Sequence, residues 1–542
     1  MVSSVVIYDT TLRDGAQREG ISFSLEDKLK IARKLDEFGV AYIEGGWPGS
    51  NPKERDFFVR ARGLNWQHAR LVAVGSTRKP HSDVPDENLK ALLRSETPAV
   101  TVVGKSWDLH VRRVLGSDLD ENLRMIAESV GFLKAQGLEV IYDAEHFFDG
   151  YHADPAYALR TLVAAEEAGA DCIVLCDTNG GTLPQTLRVA IERVKNHVKC
   201  PLGIHAHNDS DLAVANTLAA VEAGATHVQG TVNGFGERCG NANLCSIIPN
   251  LELKMGVRCV GQGNLKHLSE LSRYVSEVAN IVHDTHLPFV GESAFAHKGG
   301  IHTHAVMKAT ESYEHIRPDL VGNSRRVLIS ELGGRSSVLH KALEFGIDLR
   351  QQTAEARRVA ELVKHMESRG FQFEAAEASF ELLVRRSQPG YVPPFELIDF
   401  LVLVEKRGGV DFLSEATVKL RVAGEVMHTA AEGNGPVNAL DAAMRKALLQ
   451  FYPSLAKVGL VDYKVRVLDE KAGTEAVVRV TIESRAGDRT WSTMGSSANM
   501  IEASWFALAD SLEYFLITWP CEPVCRNGNG QASAAAKQSQ PG

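Results

Sequence analysis

In "GIHAHND", residues 203–209, two histidines sit one residue apart at the end of a short apolar run. Alternate side chains of a strand share a face, so His205 and His207 point the same way. Two imidazoles side by side either make a polar strand end or hold a metal ion. Asp14 and Asn241 would complete a set of one carboxylate, two imidazoles and one amide oxygen, if the fold brings them together. Such a mixed set suits a borderline or hard divalent ion and leaves positions open for substrate and water. Asp209 is placed to orient an imidazole or the local backbone. Arg13 sets a permanent cation beside Asp14; it either stabilises charge growing on a carbonyl oxygen or pairs with Asp14 or Glu44. Glu145 and Glu237 could transfer a proton in a closed mouth or serve as plain acceptors. "HKGGIHTHAVMK" brings His297, His302 and His304, of which one reads as catalytic and two as incidental, and Tyr313 follows close enough to share its work. Gly234, Gly236 and Gly240 in "GFGERCGN" permit a tight loop with backbone close to a ligand.

Positioning these groups is the task of residues 5–256, which repeat one theme. Eight short runs ("VVIYDTT", "AYIEGG", "RLVAVGS", "AVTVVG", "EVIYDAE", "CIVLCDT", "PLGIHAHND", "THVQGTVNG") alternate with segments of helical period. Ser24 and Asp154 read as helix N-caps, and Gly39, Gly137 and Gly169 as helix ends. The pattern predicts an α/β fold, a (β/α)8 TIM barrel over residues 1–275; an open doubly wound sheet is the alternative, but no G-x-G-x-x-G follows the first strand. Asp9, Arg13, Asp14, Glu44, Ser76, Lys105, Tyr142, Asp143, Glu145, Asp177, Thr178, His205, His207, Asn233, Glu237 and Asn241 all fall at the ends of these strands. Barrel active sites are built at that face, so one mouth is expected to gather them.

Beyond the barrel, residues 276–410 read as a mostly helical linker region and 411–520 as a C-terminal α+β regulatory domain. "SEATVKLRVAG", "YKVRVLD" and "EAVVRVTIES" alternate like half-buried strands, while "NALDAAMRKALLQFY" and "NMIEASWFALADSLEYFLI" are amphipathic. Residues 521–542 are low in complexity and expected to be disordered. The 542-residue length fits two or three domains, and the net charge of −9 argues against a general binder of nucleic acid or anionic membrane. No apolar run reaches the roughly 20 residues of a membrane span. The eight cysteines fit free thiols of a reducing compartment, "CEPVC" lacks the second pair a zinc knuckle needs, and no leader is apparent before the first strand, so the cytoplasm is the expected location.

Taken together, "YDTTLRDGAQREG" and "HAHNDSDLAVAN…GTVNGFGERCGN" resemble the metal-dependent acyl-CoA condensing synthases that make 2-isopropylmalate, homocitrate and citramalate. The resemblance spans residues 5–520. It implies that Asp14, His205, His207 and Asn241 hold a divalent ion, Mg²⁺ or Mn²⁺ in the first place, with Zn²⁺ as an alternative. It implies that Arg13 polarises a ketone, Thr178 and Tyr142 contact the substrate, and Glu145 and His302 take part in deprotonating acetyl-CoA. Tyr313 would help place the hydrolytic water, reaching across a homodimer. "EGGWPGSNPKE" and "VIYDAEHFFDGY" are most similar to the branch that condenses acetyl-CoA with pyruvate to give citramalate, on a route to 2-oxobutyrate and isoleucine. The competing expectations are 2-isopropylmalate synthesis from 2-oxoisovalerate and a hydroxymethylglutaryl-CoA-type lyase. The C-terminal region is similar to a domain that binds an end-product amino acid, with isoleucine expected here and leucine the alternative. Trp47 and Tyr142 could narrow the pocket to a methyl group. Asp211 stands where glycine is common in the family, at a place expected to start a helix without difficulty.

Overall fold

The computed structural model describes residues 2–406 and 412–519. The described residues through Phe295, with Glu314–Arg325, form one compact unit, and the remainder forms a second. In the first unit, eight parallel strands close into a barrel in sequence order. They are β1 (Val6–Asp9), β2 (Tyr42–Gly46), β3 (Arg70–Ser76), β4 (Ala99–Lys105), β5 (Glu139–Glu145), β6 (Cys172–Asp177), β7 (Leu202–Ala206) and β8 (His227–Gly230). Closure comes from β1 pairing in parallel with β8, Val6 opposite His227 and Asp9 opposite Gly230.

Around the barrel lie α1 (Leu25–Phe38), α2 (Pro52–Ala61), α3 (Glu87–Arg94), α4 (Leu119–Ala135), α5 (Phe147–Ala153), α6 (Pro155–Glu167), α7 (Pro184–Val194) and α8 (Ala213–Ala223), then α9 (Leu244–Pro249) and α10 (Leu268–Val278). Local chemistry sets their ends. Ser24 and Asp27 form a reciprocal capping box on α1, and Gly39 closes that helix in the left-handed region at φ 91°. Asp154 accepts from the Tyr157 N–H and Pro155 opens α6. The strands are buried on both faces. One large apolar cluster fills the space between sheet and helices, and a smaller one, including Tyr8, Val72, Ile141, Val174 and Cys176, fills the barrel interior. The cysteines among the described residues are unpaired. "CEPVC" and the tail expected to be disordered lie outside the described residues.

The second unit begins with a short pair, β9 (Ala296–His297) and β10 (Arg326–Val327), and the helices α11 (Gly300–Lys308), α12 (Arg335–Glu344), α13 (Thr353–Ser368) and α14 (Glu377–Arg386). Two three-stranded antiparallel meanders follow, each ending in a helix. β11 (Phe395–Glu405), β12 (Leu413–Val422) and β13 (Glu425–Gly433) lead to α15 (Pro436–Leu448); β14 (Gly459–Val467), β15 (Val478–Ala486) and β16 (Arg489–Ser497) lead to α16 (Met500–Thr518). β12 and β15, the central strands, alternate buried and part-exposed residues as expected from their sequence. β11 falls inside the stretch read as helical linker: "FELIDFLVLVE" is an edge strand held by its pairing with β12.

Among the described residues no helix is long and apolar enough to cross a membrane.

Candidate metal centre at the barrel mouth

Asp14 sits in the first turn after β1, His205 in β7 and His207 just beyond it; all three are buried. Asp14 Oδ2 lies 3.2 Å from His205 Nε2 and 4.0 Å from His207 Nε2, and the two Nε2 atoms are 3.3 Å apart. The closing of β1 on β8 makes the first strand a near neighbour of the seventh, so residues nearly 200 positions apart meet.

Asn241 is brought in by the glycine loop. It forms an antiparallel bridge with His207, and its neighbours bond the same strand end, Ala242 N to the Ala206 carbonyl and Asn208 N to the Gly240 carbonyl. The loop packs tightly on itself: Gly240 has φ 93°, and a Cβ there would lie 2.1 Å from the Gly234 carbonyl oxygen. The Asn241 side-chain nitrogen donates to the Phe235 carbonyl, while its side-chain oxygen is buried with no partner. A buried amide oxygen is costly to leave unpaired. That orphaned acceptor, beside one carboxylate and two imidazoles with their Nε2 atoms converging, fits a divalent cation.

The electrostatics agree. Burial opposes charge on Asp14, but Arg13 and the two histidines hold its carboxyl well below the usual range. Burial, then His205, pushes His207 down to about 4, keeping it neutral and able to ligate. Burial also opposes charge on His205, yet the hydrogen bond and charge of Asp14 raise it.

Arg13 is locked. Its Nε donates to Glu44 Oε1, and its Nη1 lies 3.6 Å from Asp14 Oδ1. Glu44 in turn accepts from Thr10 Oγ1 at 2.9 Å and from the Tyr8 hydroxyl at 2.5 Å, and that hydroxyl lies 2.9 Å from Thr101 Oγ1. Of the two roles weighed for Arg13, the pairing with Glu44 and Asp14 is what the geometry shows, and it leaves the guanidinium beside the Asp14–His205–His207 cluster.

Other groups fall differently from the sequence reading. Tyr142 is fully buried in the cluster between sheet and helices, where a Cβ on Gly104 would meet its ring; it does not face the mouth. Alternation explains this correction: Asp143 and Glu145 take the inward face of β5, so Tyr142 takes the outward one. Trp47 donates its ring N–H to Asn88 Oδ1 on α3 at 3.1 Å. Asp209 orients no imidazole; it holds Arg238 through bonds of 2.7 and 2.9 Å, and Arg238 also donates to the Thr178 carbonyl. Glu237 is exposed, 3.7 Å from Arg238. Asn233 donates to the Ser272 carbonyl and Ser276 Oγ, and Asp177 accepts from Thr182, so both are structural. Asp211 lies in the left-handed region at φ 58°, which explains a preference for glycine there.

Glu145 is paired with Lys105. Next to it is a cluster the sequence reading missed: His146, in the left-handed region at φ 56°, lies 4.1 Å in ring centroid from His110, which stacks on Trp107. The His146 N–H donates to Thr178 Oγ1 at 2.9 Å. "EHFF" gave no periodic hint of this. His302 and Tyr313 belong to the second unit and stack on each other with centroids 4.3 Å apart.

Comparison with known proteins agrees with this geometry. The family model described as HMGL-like matches residues 4–275, the homocitrate synthase post-HMGL domain-like model matches 289–370, and the LeuA allosteric (dimerisation) domain matches 374–516. The chain is 54% identical over 520 residues to (R)-citramalate synthase of Aquifex aeolicus, covering 95% of this chain and 98% of that one. It is 54% identical over 517 residues to that of Geobacter sulfurreducens, covering 95% and 98%, and 34% identical over 509 residues to a probable 2-isopropylmalate synthase of Methanopyrus kandleri, covering 93% and 97%. The chain belongs to the (R)-citramalate synthase family. Within that family's HMGL-like region lie all four proposed ligands, Asp14, His205, His207 and Asn241, together with Arg13.

Proposed function

We propose that the protein condenses acetyl-CoA with pyruvate, with uptake of water, to give citramalate and CoA. The observation that carries this reading is the buried Asp14–His205–His207 cluster with the Arg13 guanidinium beside it, in a chain that spans 98% of the Aquifex aeolicus (R)-citramalate synthase. A bound Mg²⁺ or Mn²⁺ supplies Lewis acidity toward the oxygens of the keto acid. Asp14, His205, His207 and Asn241 are the groups that would hold it.

The chain's own residues then divide the work. Arg13, fixed by Glu44, stabilises negative charge developing on the keto oxygen without having to reorganise. Thr178 Oγ1 already accepts from the His146 N–H, so its own hydrogen is free to donate to a substrate carboxylate. Glu145, beside Lys105, is the group we assign to remove the acetyl methyl proton; His302 and Tyr313 are assigned to that step and to placing the water that hydrolyses the thioester product. We further propose isoleucine as the effector of the C-terminal domain and a homodimer as the working form.

CoA release from acetyl-CoA by metal-stripped protein tests the reading, with pyruvate or 2-oxoisovalerate, before and after Mg²⁺ or Mn²⁺. Metal-dependent release with pyruvate is expected. A preference for 2-oxoisovalerate would move the protein to the 2-isopropylmalate activity, and no release with either would end the proposal.

A further inference from the structure

Behind His205 the barrel interior carries a polar chain that no step above uses. His205 Nδ1 lies 2.7 Å from Gln229 Oε1, and Gln229 Nε2 donates to Asp143 Oδ1 at 3.0 Å. The three residues come from β7, β8 and β5, so the chain crosses the lumen; Gln229 is fully buried and Asp143 nearly so. On the same inward face of β5, two residues on, stands Glu145.

We propose that Gln229 is the positioning residue of the metal site, setting which nitrogen of His205 is bare. An amide is asymmetric: its oxygen only accepts and its nitrogen only donates. Asp143 Oδ1 accepts from Gln229 Nε2, which turns the NH₂ toward Asp143 and the amide oxygen toward His205. The imidazole must then carry its proton on Nδ1, which leaves the Nε2 lone pair for the cation. Nε2 is the atom that faces Asp14 and His207. Without Gln229, either ring nitrogen can hold the proton and the ring can turn, so the ligand set is preorganised only part of the time.

The inference rests on the metal reading, and one experiment separates the two. Titration calorimetry with Mn²⁺ on the metal-stripped full-length protein gives a Kd without reference to turnover. Gln229→Met, close in size but apolar, is expected to weaken Mn²⁺ binding about 10–100-fold in protein that still melts cooperatively without metal. Gln229→Glu combined with Asp143→Asn keeps an acceptor at Nδ1 and a donor across the lumen, and is expected to stay within about threefold of wild type, a rescue that mere packing does not give. If Gln229→Met fails to fold, Gln229→Asn withdraws the acceptor while leaving an amide in the barrel and is expected to weaken binding likewise. Unchanged Kd for Gln229→Met or Gln229→Asn, whichever folds, or a Gln229→Glu/Asp143→Asn variant as weak as they are, overturns the positioning role. A wild type that takes up no Mn²⁺ overturns the metal site itself and the relay with it.

Discussion

Arg13 and Asp14 are adjacent in sequence, yet they take opposite charges into a buried site and each makes the other tolerable there. Because Glu44 accepts the Arg13 Nε and fixes the plane of the guanidinium, lysine cannot substitute for it. Arg13→Lys is expected to lower kcat by about 10²–10³ with a smaller change in KM, measured by CoA release. His227, at the other end of the barrel, makes a different prediction. Burial alone pushes it down to about 3, and its Nε2 has no partner. As pH falls below about 6.5 the unfolded chain takes up this proton first, so stability present at neutral pH is lost toward pH 3. By pH 5 the loss is about 2 kcal/mol. Asp9 and Asp143, pushed up to about 7 by burial, act in the opposite sense between pH 4 and 7. Comparing denaturation midpoints of His227→Phe and wild type at pH 7 and 5 isolates the imidazole; the variant should lose less. At this scale the sequence showed residue types well. The clustering of Asp14, His205 and His207 was legible from spacing and strand ends, but Tyr142 was misplaced because a polar strand end was read without asking which face each residue takes.

Strand and loop geometry account for what was harder to read. The eight barrel strands were evident because apolar runs buried on both faces contrast sharply with amphipathic helices. β11 was not, since its apolar residues fall on both faces and Leu401, Leu403 and Val404 stay exposed, which leaves no alternation. β13, "EVMHTAAEG", has too little hydrophobicity to stand out without its partner β12. Two backbone positions give tests. Asp211 pays for a left-handed conformation, offset in part by the Asn208 side-chain bond to its carboxylate; Asp211→Gly should raise stability by about 0.5–1 kcal/mol in denaturant melts. Gly240→Ala has nowhere to put its methyl group. It is expected to cost at least about 1 kcal/mol and to weaken Mn²⁺ binding, because the same loop carries Asn241.

The chain combines a barrel that holds the Asp14–His205–His207 cluster with a second unit whose C-terminal part repeats a βββα motif. Each repeat leaves its first strand, β11 or β14, at an edge with exposed apolar residues; Leu401 is 67% exposed and Val467 48%. Long apolar edges of this kind are covered in working proteins. A dimer that covers them is expected, so Leu401→Asp should shift the mass seen by light scattering toward one chain while leaving the barrel's melting transition in place. Metal should report on the barrel instead: Mn²⁺ at about 100 times its Kd should stabilise it by about 2.7 kcal/mol, visible as a raised Tm that a chelator reverses. The domain match over 374–516 and the barrel match over 4–275 fit this division.

The seam between β1 and β8 has one more consequence. Asp14 follows the barrel's first strand, so it is synthesised well before His205 and His207 at the seventh strand and Asn241 after the eighth. At ordinary rates of synthesis that is a wait of roughly 10–50 s. Throughout it, a growing chain owns one carboxylate and no cage. On the ligand set proposed above, metal capture would therefore mark a finished barrel, because a truncated or stalled chain lacks the groups that would complete the cage.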